Sequence, residues 1–219
     1  AAFKKVGYTL DAFGQKTYNG VATILRDPLT FLPDEEVRNI PGFEDPQSRL
    51  LATTVQVGSE KLRVINGYFP NGETVESEKF PYKLAWLEAL VQWLPSQLEE
   101  YPNLVLLGDF NIAPEDRDVW DPESWAESVL CTPKAREAFQ RLIDLGLTDS
   151  FRVFEQPEKS YSWWDYRMMA FRRNRGLRID HILISEALAS KNLGVEIHKK
   201  VRGNERPSDH APVTLTLDL

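Results

Sequence analysis

Cysteine is almost absent from this sequence: Cys131 stands alone, so no internal disulfide can form, and a reducing, cytoplasmic setting is expected. No apolar run approaches the roughly 20 residues a membrane-crossing helix needs, and the first residues lack the charged-then-apolar order of a signal peptide, so no membrane partner is expected. Positive charge is in deficit. A net charge of −7 argues against a protein that coats nucleic acid indiscriminately, since that task rests on clustered Lys and Arg. With three His beside the one Cys, nothing spells a zinc site. Internal repeats, low-complexity tracts and linkers are also missing, and 219 residues suit one large domain better than two.

What is present is a chain with 42% hydrophobic residues and 11% aromatics, in which six Trp and only two Met favour a rigidly packed interior. Apolar stretches of strand length recur at Val21–Leu25, Leu50–Val57, Leu62–Phe69, Leu104–Leu107, Leu177–Ile184, Val195–His198 and Pro212–Leu219. The last alternates Val213, Leu215, Leu217 and Leu219 against Thr214, Thr216 and Asp218, which predicts a strand with one wet face. Phe80, Leu84, Leu87, Val91, Leu94 and Leu98 form one helical stripe, which Pro95 is expected to kink or end. A second helix is expected over Lys134–Leu145, stopped by Gly146. Strands outnumber helices, so the expectation is an α/β layered domain.

Three segments read as loops with content: the turn-rich Pro41–Arg49, the acidic Pro114–Pro133 with its two Trp, and the basic Arg167–Gly176. Between Arg167 and Arg178 the chain carries Arg167, Arg172, Arg173, Arg175 and Arg178 without one acid. Such a run is either a solvated loop or, with Trp163, Trp164, Tyr166 and Phe171 interleaved, a surface for phosphates and unstacked bases. Composition alone leaves both open.

The sharpest segment is Leu104-Val-Leu-Leu-Gly-Asp-Phe-Asn111, a buried strand whose exit carries Asp109 and Asn111 on one side. Gly-Asp-x-Asn is also good turn chemistry. A second acid, Asp180, is expected inside the strand Leu177–Ile184, where an ionised carboxylate needs a partner. Ser208-Asp209-His210-Ala-Pro212 sets an acid and an imidazole side by side at a strand entrance, whereas His181 is expected to decorate a strand face and His198 a solvated edge. Carboxylates with Asn, Tyr and His are what phosphodiester hydrolysis requires: a held water, a hard cation with oxygen ligands, and donors for the phosphoryl oxygens.

At this point the sequence resembles the exonuclease III branch of the endonuclease/exonuclease/phosphatase superfamily. The matching segments are Gly14-Gln-Lys16, Asn19-Gly-Val-Ala22, Asn66-Gly-Tyr-Phe-Pro-Asn-Gly72, Gly108-Asp-Phe-Asn111, Ser162-Trp-Trp-Asp-Tyr-Arg167, Asn174-Arg-Gly-Leu-Arg-Ile-Asp180 and Ser208-Asp-His-Ala-Pro212, in the family's order from end to end of the chain. Trp-Trp-Asp-Tyr-Arg and Asn-x-Gly-x-Arg-Ile-Asp are the elements that point to abasic-DNA enzymes.

The resemblance implies a four-layer α/β sandwich of two mixed sheets flanked by helices, and a magnesium-dependent phosphodiesterase, with Mn2+ as an alternative. Its substrate would be double-stranded DNA with abasic sites or blocked 3′ ends, and the protein would act as a monomer. It assigns Asp109 to activate water, Asn111 to hold that water and a phosphate oxygen, Tyr68 to donate to the scissile phosphate, and His210, oriented by Asp180, to add a charged donor. Asp209 would lie at the metal, and Asn71, Arg167, Arg172, Arg173 and Asn174 would track the DNA backbone. Trp163, Leu177 and Ile179 would wall a pocket for a base-free sugar, since a site without its base costs least to unstack. The family's opening strand and its metal-binding Glu have no counterpart here. The chain is therefore expected to be an N-terminally incomplete single domain, either a fragment or a shortened member, with a gap among its strands and an aggregation-prone edge. Two alternatives follow: a catalytically impaired DNA-binding fragment, and a superfamily relative acting on another phosphodiester.

Overall fold

The structure is a computed structural model and describes residues 2–219. Its strands are β1 (Tyr8–Phe13), β2 (Val21–Arg26), β3 (Thr30–Phe31), β4 (Val37–Arg38), β5 (Leu50–Val57), β6 (Glu60–Tyr68), β7 (Leu104–Asp109), β8 (Leu147–Asp149), β9 (Asp180–Ser185), β10 (Asn192–Ile197) and β11 (Val213–Leu217). The helices are α1 (Lys79–Glu100), α2 (Pro122–Trp125), α3 (Pro133–Asp144) and α4 (Glu186–Ala189).

A seven-stranded mixed sheet in the order β3-β5-β6-β7-β9-β8, with β4 also on β5, forms the centre; β6 and β7 run parallel and their neighbours antiparallel. Alternation sends Ile65, Leu104, Leu106 and Leu183 to one face, where they pack with Trp86, Leu87, Leu90 and Leu94 of α1 and Phe139 and Leu142 of α3. The opposite face carries Val105, Ile184 and half-buried Leu62, Leu107 and Ile182, against Leu215 and Leu217 of β11. On that same face Asn66 donates to the carbonyl of Ala22 in β2.

An α/β sandwich therefore forms as expected, with one refinement. Among the described residues the second sheet consists of two separate antiparallel ribbons, β1–β2 and β10–β11. Leu62, Leu107 and Ile182 are only partly covered between them, and Leu10 and Ile24 on the ribbon are exposed.

Three local expectations need correction. Pro95 does not end α1, which runs on to Glu100; burial of Leu90, Val91, Leu94 and Gln97 on either side outweighs one lost backbone bond. Asp180 is the first residue of β9 rather than an interior one, so its carboxylate sits at the sheet's rim. His181 does not decorate a surface: it is buried between Phe110 and Phe139, with Nε2 2.8 Å from the carbonyl of Ile112, and burial pulls its pKa down to about 4.

Candidate active site

The ends of β6, β7 and the start of β9 lie side by side. Tyr68 is in register with Asp109 across the parallel pair, and Asp109 with Asp180 across the antiparallel one. Gly108 makes the first of these approaches possible: at φ +139° it needs glycine, and a Cβ there would come within 1.9 Å of the Gly67 carbonyl oxygen. Beyond the strand, Asn111 turns back in the left-handed region at φ 50°. Its backbone N–H donates to Asp109 Oδ1 at 2.9 Å and its carboxamide to Asp109 Oδ2 at 3.1 Å. Asn71, from the loop after β6, donates in turn to Asn111 Oδ1 at 2.8 Å.

His210 arrives from the far end of the chain. Trp164 N–H donates to the Asp209 carbonyl at 3.0 Å and Ala211 N–H to the Ser162 carbonyl at 2.7 Å, which pins the Ser-Asp-His segment to the Ser-Trp-Trp segment. Ser162 Oγ also accepts from the backbone N–H groups of Ile179 and Asp180, both at 3.1 Å, so one buried hydroxyl fixes where β9 begins. The outcome is that His210 Nδ1 sits 2.9 and 3.1 Å from the two Asp180 oxygens while its Nε2 lies 3.9 Å from Asp109 Oδ2. That last separation is too long for a hydrogen bond. Both groups stay free to address a third atom about 3 Å from each.

Electrostatics separates their roles. Burial, with the nearby charge of Asp180, pushes Asp109 up to about 7 against the opposing pull of His210 and Lys83. Burial works against the imidazolium of His210, but the hydrogen bond and charge of Asp180, with Asp109 and Asp209 behind them, outweigh it and raise His210 to about 9. A carboxylate base and a cationic donor thus coexist between these values. Tyr68 is raised by burial and by Asp109, so its phenol keeps its proton as a donor, and Arg49 stacks on its ring at 5.2 Å.

Cleavage is expected to follow a bell in pH. The ascending limb, through about 7, reports formation of the Asp109 carboxylate; the descending limb, through about 9, reports loss of the His210 proton. Asp180→Asn should move both limbs to lower pH: the descending one because it removes the charge that holds the imidazolium, and the ascending one because it removes a negative charge that raises Asp109. A pH–rate profile with an unmoved descending limb would separate His210 from Asp180.

Asp209 Oδ2 accepts from Trp163 Nε1 at 3.0 Å, and its charge reaches both Tyr68 and His210. Among the described residues no cluster of three or more His, Cys, Asp or Glu is poised to hold a metal ion. The oxygen donors present are nevertheless of the right kind. A small hard cation keeps most of its waters and needs few protein carboxylates, and Asp209 has an oxygen left over for that purpose.

The predicted DNA contacts are placed unevenly. Arg167, Arg172 and Arg173 are exposed, and none enters an ion pair among the described residues. Asn71 lines a cleft of about 530 Å³ with Tyr18, Asn19 and Arg49 beside the site. Asn174 is turned inward: Oδ1 accepts from Trp164 Nε1 at 3.2 Å and from Lys199 at 2.7 Å, so it braces the loop instead of facing outward. Arg178, counted in the basic run, is buried and bound to Asp118 and Asp149. Leu177 and Ile179 are buried too, because Leu177 bridges to both Val119 and Trp163; they back Trp163, which alone of the three keeps exposed surface. Two further residues of the site lie outside the candidates that the sequence offers. Ser162 gave no signal beyond its place in a matched segment, whereas Lys83 gave a plain one: a charge inside the apolar stripe between Phe80 and Leu87.

An α/β sandwich whose strand ends gather a carboxylate base, an imidazolium–aspartate pair, a phenol and two carboxamides around one opening defines a phosphoesterase. Comparison with known proteins is specific. The model of the Endonuclease/Exonuclease/phosphatase family matches residues 2–210, and the chain belongs to that family. It is 38% identical over 219 residues to the exodeoxyribonuclease III of Haemophilus influenzae, covering 96% of this chain and 80% of that one. Among solved structures it is similar to the 3′ phosphatase NExo from Neisseria bound to product DNA hairpin, with a TM-score of 0.93 and 45% identity over 100% of this chain and 82% of that one. It is also similar to an AP endonuclease from Archaeoglobus fulgidus, with a TM-score of 0.89 and 32% identity over 99% and 82% of the two chains. The family is one of metal-dependent nucleases. Among the described residues no helix is long and apolar enough to cross a membrane.

Proposed function

We propose that this chain is a DNA-repair phosphodiesterase that, as a monomer with Mg2+ and with Mn2+ able to substitute, cuts the phosphodiester 5′ to an abasic site and trims blocked 3′ ends. The observation that carries the reading is the meeting of Asp109, Asp180 and His210 from three distant stretches of chain at one sheet rim. Asp109 accepts the proton of the attacking water, which the Asn111 carboxamide helps hold. His210 and Tyr68 donate to the phosphoryl oxygens as charge builds there. Asp209 would hold the cation, which when bound would supply Lewis-acid stabilisation of the charge that builds on the phosphate. Trp163 offers an aromatic face beside Asp209 to a sugar turned out of the duplex. The single buried thiol accords with a cytoplasmic protein.

A second reading keeps the chemistry and narrows the substrate to 3′ ends. It draws on the two 45%-identical Neisseria structures, whose names give 3′ phosphatase and 3′-5′ exonuclease. Incubating the protein with Mg2+ and either an internal abasic duplex or a 3′-phosphate at a nick tells the two apart. Incision of the first substrate is the expected result. Release of phosphate alone would favour the narrower reading, and no cleavage of either would end both.

The exposed arginines supply the duplex affinity. Arg172→Ala with Arg173→Ala should weaken binding and reduce the slope of log K against log salt by about 2, one phosphate contact each, with turnover at saturating DNA little changed. An unchanged slope would place the loop away from DNA.

A further inference from the structure

We infer that Lys83 is a positioning residue of the cleavage site: its ammonium group holds the backbone of Asn71 and Asn111, and through them the carboxamides that set the Asp109 carboxylate. The inference rests on the hydrolase reading above and adds to it a fully buried residue.

Lys83 lies on the sheet-facing side of α1 and is fully buried. Its Nζ donates to three carbonyls from three separate segments: Asn111 at 2.7 Å, Val129 at 2.8 Å and Asn71 at 3.2 Å. Three acceptors around one nitrogen select the ammonium form, since a neutral amine has only two N–H groups and would point its lone pair at the third oxygen. Among the described residues no carboxylate pairs with it directly. The titratable groups that face it are Asp109 of β7 and Cys131 of the loop before α3; burial pulls Lys83 down to about 7, and these two oppose that pull.

A core filler would not need an ammonium here. Leu or Met would suit the stripe of α1 and avoid the desolvation of a cation. The stem is also closely fitted: a Cβ on Gly72, which sits at φ +96°, would come within 3.2 Å of Lys83 Cδ and 3.3 Å of Phe80. What the charge secures is a chain of contacts. Lys83 fixes the Asn71 and Asn111 carbonyls, Asn71 donates to Asn111 Oδ1, and Asn111 donates twice to Asp109. The same positive charge favours the ionised form of Asp109.

The test compares wild type with Lys83→Met, which keeps length and removes the charge, and Lys83→Gln, which keeps N–H donors without charge. Thermal unfolding, kcat, KM and the pH–rate profile are measured on duplex DNA with Mg2+. Lys83→Met should lower kcat by about tenfold or more with KM within about twofold, as expected when a reacting group is misplaced. Its ascending limb should move to higher pH, because Asp109 loses a supporting charge. Lys83→Gln should show the same limb movement while regaining part of kcat, and it carries the test if the Met variant does not fold. An unchanged kcat and ascending limb, a kcat loss that follows thermal stability without any limb movement, or failure of both variants to fold would each overturn the inference and leave Lys83 a structural residue. A wild type that cleaves nothing is seen before any substitution, and it removes the hydrolase reading together with this inference.

Discussion

Asp109→Asn is expected to lower single-turnover cleavage by about 10³-fold or more while leaving duplex affinity within a factor of about three, since a positioned general base contributes on the order of 10² to 10⁴. The substitution is nearly isosteric, and the Asn amide oxygen can still accept from the Asn111 backbone as Asp109 Oδ1 does at 2.9 Å. What disappears is the ability to take a proton from water. Removing a negative charge that faces a phosphate strengthens ground-state binding if it changes it at all, so the loss should fall on kcat. Rapid-quench measurement with enzyme in excess over DNA, beside an equilibrium binding titration, checks both halves. A variant that keeps near-normal turnover would mean that another group activates the water.

His210→Ala should cost about 10² to 10³ in kcat, the range seen when one donor to a developing oxyanion is removed. It has a second consequence. Asp180, which gives His210 Nδ1 its contacts at 2.9 and 3.1 Å, is left without that partner in a half-buried position next to Asp109. Two carboxylates then face each other at the rim with no imidazolium between them, and the Asp109 carboxylate is disfavoured. The ascending limb of the pH profile should therefore move up as the rate falls, and the melting temperature should fall with it. His210→Gln, which restores a neutral donor, should recover stability more than rate. A rate loss below about tenfold would remove His210 from the phosphate.

Much of this site is legible in the sequence. Gly108-Asp-Phe-Asn111 at the exit of an apolar run and Ser208-Asp-His-Ala-Pro212 before an alternating strand each combine a position in the fold with a chemistry, and the pairing of His210 with Asp180 follows once both stretches end at one rim. The central strands were read closely for the same reason: Leu50–Val57 is apolar enough to be recognised by content alone. What escaped depends on tertiary context. β3, β4 and β8 are two or three residues long and exist only because a neighbour pairs them. Arg178 lies in a basic run, yet its direction was fixed by Asp118 and Asp149, acids 60 and 29 positions away that composition cannot pair with it. The resemblance places Leu177 and Ile179 in a pocket wall, but the backbone bridge from Leu177 to Trp163 turns them into its support. The family resemblance places Asn174 on the DNA backbone, whereas its carboxamide is taken by Trp164, Lys159 and Lys199. Side-chain direction at a loop is set by such contacts, which neighbouring sequence does not encode.

The convergence of Asp109, Asp180 and His210 on a single phosphate can be observed directly by crystallising Asp109→Asn with Mg2+ and a duplex carrying one abasic site. The uncut phosphodiester 5′ to that site should lie within hydrogen-bonding distance of His210 Nε2, Tyr68 Oη and the Asn111 carboxamide, with the cation on Asp209. A phosphate ordered elsewhere on the surface, with His210 Nε2 facing only solvent, would contradict it.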